Sequence, residues 1–312
     1  KIYLVTSQGS GNWGANEMFK ENIFFDEIIN YSTKDIRSLF DKIQFIKRLR
    51  LLEFDLWIDY GNQINTFFWH LRQIFLIKMF NVQSIWLDKC ICFTYFRIFQ
   101  SKNFFFMNET TRLNNFVASN GVEIIDLPDM IMHDNYFENS VISNIKNFIV
   151  ISIGSAQPLL NFWDEKKFTD LANYLSLSHQ VVFIGSSSES KQADRIISRI
   201  KNKPINLVGK TSISNLFSIF NRSKIVIGLD SGPQHIAALE GASVITITSC
   251  WNFDNTWTPS GKGKIITLKP KKRSERCLFN RDRHGRRLCY NNPNCIESIS
   301  TSDVIKAVNQ IL

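Results

Sequence analysis

The chain has 312 residues, 44% of them apolar, and a net charge of +9. That length holds one large or two ordinary domains, with enough apolar side chains to bury sizeable cores. It carries no run of the about 18 to 20 apolar residues that a membrane-spanning helix needs. The nearest stretch, 67–80, is broken by His70, Arg72, Gln73 and Lys78.

The chain opens on KIYLVTS, a strand-like segment with no initiating Met and no basic-then-apolar leader, so a cytoplasmic protein is expected. Ile36, Leu39, Phe40, Ile43, Ile46 and Leu49 recur at spacings of three and four, which predicts one face of an amphipathic helix. FDLWIDY over 54–60 reads as a buried strand, Gly61-Asn62 as a turn, and the residues up to about Phe80 as a long helix. A further helix is expected around Thr111 to Ser119 and a short strand at Val122 to Ile125. Residues 126–146 are polar, carry Pro128 and show little periodicity, so the domain linker is placed there. The expected domains are therefore 1–140 and 141–312.

The second half alternates more cleanly. Strands are predicted at 148–153, 180–184, 205–208, 225–229 and 243–248. Helices are predicted at 164–177, 189–200, 212–221 and 233–240, with a last one from Ser302. Strands alternating with helices of about a dozen residues imply parallel sheets with right-handed crossovers, an α/β fold of Rossmann-like domains. Two such domains bind ligands at the carboxyl ends of their strands.

One segment stands out chemically. The apolar run Ile225 to Leu229 ends in Asp230-Ser231-Gly232-Pro233-Gln234-His235. Ser231 suits a helix N-cap and Pro233 the first turn. A helix N-terminus offers free N–H groups and partial positive charge, which suits a pyrophosphate. Gly232 lets phosphate approach the backbone, and His235 lies on the same turn. Glycine turns also follow the other strands: Gly154-Ser155-Ala156, Gly185 with Ser186 to Ser188, and Gly209-Lys210-Thr211.

These blocks carry a resemblance. FIVISIGSAQPLLNFWDEKKFTDLANYL and NLVGKTSISNLFSIFNRSKIVIGLDSGPQHIAALEGASVITI are similar to the most specific segments of the bacterial lipopolysaccharide ADP-heptose heptosyltransferases, glycosyltransferase family 9. NIFFDEIINY and FDLWIDYGN resemble segments of that family's first domain. The resemblance implies two Rossmann-like domains of the GT-B type facing across a cleft. It implies transfer of a sugar, heptose first among them, from a nucleotide-diphosphate donor, ADP-heptose above all, without a metal or cofactor. The implied acceptor is an anionic glycolipid of lipopolysaccharide type, with peripheral contact at the inner membrane surface. Residue by residue, it assigns donor contacts to Ser155, Ala156, Lys210, Thr211, Asp230, Ser231, Gly232 and His235.

The chain departs from the family pattern in two places. Asn161 stands where the family has a Lys two residues before the Trp, here Trp163, so the donor-phosphate cation is missing unless Lys166, Lys167 or Lys210 supplies it. KIYLVTS resembles the family's second strand, so the first strand-helix unit and its acid-base Asp are missing from the alignment. The remaining catalytic-base candidates are Asp59, at the end of a strand, and Glu17. A catalytically impaired nucleotide-sugar-binding protein, or a transferase acting on a protein acceptor, are the alternative readings.

Two further constellations are open. Nine basic residues lie between Lys269 and Arg287 against Glu275 and Asp282. This is either a solvated loop or a surface for anionic lipid or a phosphorylated glycan. No aromatic interleaving or motif points to nucleic acid. Cys250, Cys277, Cys289 and Cys295 are either reduced thiols, a metal site drawn from them and His284, or a disulfide pair, and their spacing is not a strong zinc pattern.

Overall fold

The computed structural model describes residues 1–7, 25–32, 37–60, 67–87, 108–123, 142, 145, 147–155, 162–250, 256–271 and 295–312. The chain divides into two compact units, Lys1–Asp126 and Leu127–Leu312. The boundary expected at 140/141 falls on residues outside those described.

In the first unit, β1 (Tyr3–Ser7) pairs in parallel with β2 (Glu27–Tyr31), and β3 (Leu56–Asp59) in parallel with β4 (Ser84–Leu87). Among the described residues, β2 is the one partner of β1. Helix α1 (Leu39–Arg50) starts at a capping box in which Ser38 and Asp41 exchange side-chain and backbone bonds. Its periodicity marks a helix, yet Leu39 and Phe40 are 75% and 66% exposed, and Leu49 alone among its described residues is fully buried. Helix α2 (Phe67–Met79) carries the crossover from β3 to β4, and α3 (Glu109–Ser119) is capped by Asn108. The core of this unit is small: Ile29, Leu49, Phe54, Ile77 and Phe80, edged by Tyr3 and Trp57 in edge-on ring contacts.

The second unit is a six-stranded parallel sheet in the order β10-β9-β8-β5-β6-β7. Its strands are β5 (Phe148–Ser152), β6 (Val181–Ile184), β7 (Ile205–Asn206), β8 (Ser223–Leu229), β9 (Ser243–Ile247) and β10 (Ile265–Leu268). The helices are α4 (Glu165–Leu175), α5 (Ser190–Ile197), α6 (Ile213–Arg222), α7 (Gly232–Leu239) and α8 (Thr301–Ile311). β5 and β6 are buried at every position, which is why they read as continuous apolar runs rather than alternating ones. The crossover α5 lays Ala193 and Ile196 on the sheet, α4 adds Phe168, Leu171 and Leu175, and α8 adds Val304 and Val308. Trp163 is fully buried beside Phe168 and donates its indole N–H to the Ile299 carbonyl at 2.9 Å, tying the entry of α4 to the segment before α8. Because all six strands run parallel, the turns after β5, β6, β7, β8 and β9 lie along one edge of the sheet.

Three strands escaped the sequence reading: β2, β4 and β10. Each is only four or five residues long, and β10 sits between basic residues. The strand expected at 122–125 does not form over Val122–Glu123, the described part of it.

Candidate functional site

The turn after β8 is the densest piece of chemistry on that edge. The Asp230 N–H donates to the Ile247 carbonyl at 3.1 Å, so the turn leaves the sheet still tied to β9. Ser231 occupies the N-cap position of α7 in extended conformation, with Pro233 in the first turn. Its hydroxyl does not cap the helix as the sequence suggests. It donates instead to the Leu229 carbonyl at 3.0 Å. The first turn of α7 therefore keeps its N–H groups free of a side-chain cap.

The two glycines of this segment differ in what they permit. A Cβ on Gly228 would lie 2.2 Å from the Gln234 carboxamide and 2.7 Å from the Ser152 carbonyl, so packing requires glycine there. Gly232 faces open space and has no positive φ, so neither packing nor conformation demands it. His235 is half-buried, and burial pushes its imidazole below the usual histidine range. At pH 7 it is a neutral ring with one N–H to give, not a fixed cation.

The other expected donor residues fall on the same edge where they are described. Ser155 follows β5, the strand next to β8, so its turn and the Asp230 turn leave neighbouring strands at the same edge of the sheet. Lys210 and Thr211 follow β7, two strands beyond β5. Gly209 there has φ +73, and a Cβ on it would lie 3.0 Å from the Ser187 Cα, so both the conformation and the tight space favour glycine. Ala156 and Asn161 lie outside the described residues.

Sequence reasoning gave no role to Glu189. Its carboxylate accepts from the Ser186 N–H at 2.5 Å and sits under two glycine turns, where a Cβ on Gly154 or Gly185 would meet it at 2.6 and 2.8 Å. The [ST]-x-x-[DE] pattern of Ser186 and Glu189 was the available signal.

The three lysines offered as substitutes for the absent family cation are all engaged. Lys166 pairs with Asp170 at 3.4 Å, Lys167 donates to the Glu297 and Ile299 carbonyls, and Lys210 donates to the Asn206 carbonyl at 3.1 Å. Asp59 ends β3, half-buried, and Glu17 lies outside the described residues.

Of the four candidate thiols, Cys250 and Cys295 come together. The Cys250 N–H donates to the Cys295 sulfur at 3.2 Å, and both are free thiols. Hydrogen bonding from the Cys250 side chain, helped by backbone N–H groups, holds the Cys295 thiol down at about 6. Cys277 and Cys289 lie outside the described residues, and among those described no cluster of three or more metal-ligating side chains occurs. Of the basic segment, Lys269 and Lys271 are described; both are exposed, and Lys271 reaches Asp303 at 3.8 Å.

The pattern of glycosyltransferase family 9 (heptosyltransferase) matches residues 112–278, more than half of the chain. The chain belongs to this family. It is 31% identical over 120 residues to lipopolysaccharide heptosyltransferase 3 of Escherichia coli K12, a stretch covering 36% of this chain and 35% of that protein. The matched stretches thus span about a third or less of the length of the first curated relatives. Among solved structures, a family 9 glycosyltransferase from Veillonella parvula superposes with a TM-score of 0.67 at 19% identity, over 95% of this chain and 85% of that one. E. coli heptosyltransferase WaaC with ADP superposes at 0.63 and 12% identity, over 100% and 99%. The fold of this family 9 chain is accordingly α/β, of the GT-B glycosyltransferase type. Among the described residues no helix is long and apolar enough to cross a membrane.

Proposed function

We propose that this family 9 chain transfers a sugar, heptose, from ADP-heptose to an anionic glycolipid of lipopolysaccharide type, at the cytoplasmic side of the inner membrane. The observation that carries the reading is the turn Asp230–His235: a β8 end leading into an uncapped helix start, with a glycine that packing does not require. Ser155 faces the same edge from β5, and Ala156, Lys210 and Thr211 complete the donor set by family pattern.

The chemistry follows from these groups. An acceptor hydroxyl attacks the anomeric carbon, the bond from that carbon to the phosphate oxygen breaks, and ADP leaves while a base takes the hydroxyl proton. Negative charge grows on the pyrophosphate, and the α7 N-terminus stabilises it as preorganised positive potential. His235, neutral at rest, gives its N–H to the same oxygens. Asp59 and Glu17 are the base candidates.

One observation favours a second reading, a nucleotide-sugar-binding protein with impaired catalysis: Lys166, Lys167 and Lys210 each have a partner other than phosphate. A panel of nucleotide sugars, with nucleoside diphosphate release followed with and without phosphorylated core glycolipid, separates the two. Acceptor-dependent release supports transfer. Saturable binding without turnover supports the second reading, a protein substrate in place of glycolipid would redirect the acceptor assignment, and equal affinity for uridine and adenosine diphosphates would remove the adenine preference.

A further inference from the structure

Gln234 is not among the residues to which the family resemblance assigns a donor contact. In the structure it is the one fully buried polar side chain of α7, at 0% exposure. With its carboxamide nitrogen turned to the turn, it donates to the Leu229 carbonyl at 2.6 Å, the Ser231 hydroxyl at 2.8 Å and the Ser231 carbonyl at 3.2 Å. The Ser231 hydroxyl passes its own proton to the Leu229 carbonyl at 3.0 Å. The seat of the carboxamide is the space over Gly228, whose ladder partners Ser152 and Thr246 are themselves small and buried.

Burying a carboxamide is costly unless its hydrogen bonds are made, and an apolar side chain of similar size would fill the same space without that cost. Here the bonds of the carboxamide nitrogen go to residues 229–231, the turn itself. Gly228 gives up its side chain to admit the group. We propose that Gln234 is the positioning residue of the donor turn: by tying the Leu229 and Ser231 carbonyls together it sets where the Gly232 N–H and His235 stand for the diphosphate. The inference rests on the donor-site reading above and adds to it the element that holds the site in shape. It also explains why Ser231 does not cap α7: its hydroxyl is enlisted in the Gln234 network.

Gln234→Met keeps the volume and removes the bonds. Two readouts are taken on the full chain: calorimetric titration with ADP, and hydrogen exchange of the peptide covering 229–236 against peptides from β5 and β6. The expected result is exchange at least about tenfold faster at 229–236 with β5 and β6 unchanged, and ADP bound roughly ten- to a hundredfold more weakly, the scale of a small misplacement of a binding group. The donor KM should rise in step while the acceptor KM stays put. Exchange and ADP affinity both equal to the wild type would overturn the proposal. Faster exchange spread evenly over the second unit would also overturn it, since that marks a residue that merely stabilises the core. Wild-type protein that binds no ADP would remove the donor-site reading instead. The exchange comparison then decides alone, with acceleration confined to 229–236 supporting positioning and its absence overturning it.

Discussion

At the residue scale, Gly232, His235 and Cys295 make separable predictions. Gly232 faces open space, so Gly232→Ala should leave the thermal midpoint within a few degrees, the range of an ordinary surface change of about 0.5 kcal/mol or less. If phosphate approaches this backbone, the added methyl should still weaken ADP binding by roughly tenfold, the cost of one lost charge-assisted hydrogen bond. Unchanged ADP affinity in a stable Gly232→Ala protein would detach this glycine from the ligand. His235→Ala should lower turnover by roughly ten- to a thousandfold, the range for one lost donor to developing charge. Burial lowers the His235 pKa, so the free protein holds it neutral at pH 7. Diphosphate favours the imidazolium, so ADP should bind more tightly to the wild type than to His235→Gln as pH falls below the ordinary histidine value, with the two converging above it. Parallel pH profiles would take His235 away from the phosphates. Cys295, held at about 6, is largely thiolate at pH 7. Its alkylation by iodoacetamide should fall off as pH drops through about 6, and Cys250→Ala, which removes the side-chain donor, should move that midpoint upward toward the ordinary thiol value.

At the scale of elements, the second unit was largely legible in the sequence and the first less so. β5, β6 and β8 are covered on both faces, so their apolar runs stand out, and the helices of this unit announce themselves by caps such as Asp164 and Ser212. β2 and β4 are short pieces of a unit with a small core, where pattern counts for less than tertiary contact. The exposed Leu39 and Phe40 show the same thing from the other side: spacing marks the helix but not which part of its face is covered. In the site, Asp230 to His235 could be read because strand, turn and helix start are consecutive. The seat of Gln234 over Gly228 and the contact of Glu189 with Gly154 could not, because each depends on packing in space, although the Ser186–Glu189 spacing did mark Glu189 as a capping residue. Trp163 illustrates an element joint. Its ring fills the core beside Phe168 and its N–H anchors Ile299, so Trp163→Ala should destabilise the second unit by about 3–5 kcal/mol, read as a lower denaturant midpoint. A loss under 1 kcal/mol would mean that this joint is not where the unit is held.

At the scale of the whole molecule, the charge excess is concentrated in one stretch before the last helix. Lys269 and Lys271 are exposed at its start. If the stretch meets anionic lipid or phosphorylated acceptor, binding to vesicles containing acidic phospholipid should weaken steadily with salt, because exposed charges are screened over about 8–10 Å at ordinary ionic strength. Binding that ignores salt would argue for contact of another kind. The most direct test of the donor turn is a calorimetric titration of the intact chain with ADP-heptose, repeated with Asp230→Ala and His235→Ala. Saturable binding at one site per chain, weakened about tenfold or more by each substitution in proteins that melt like the wild type, is the predicted result. No saturable binding, or binding of equal affinity in all three proteins, would contradict it.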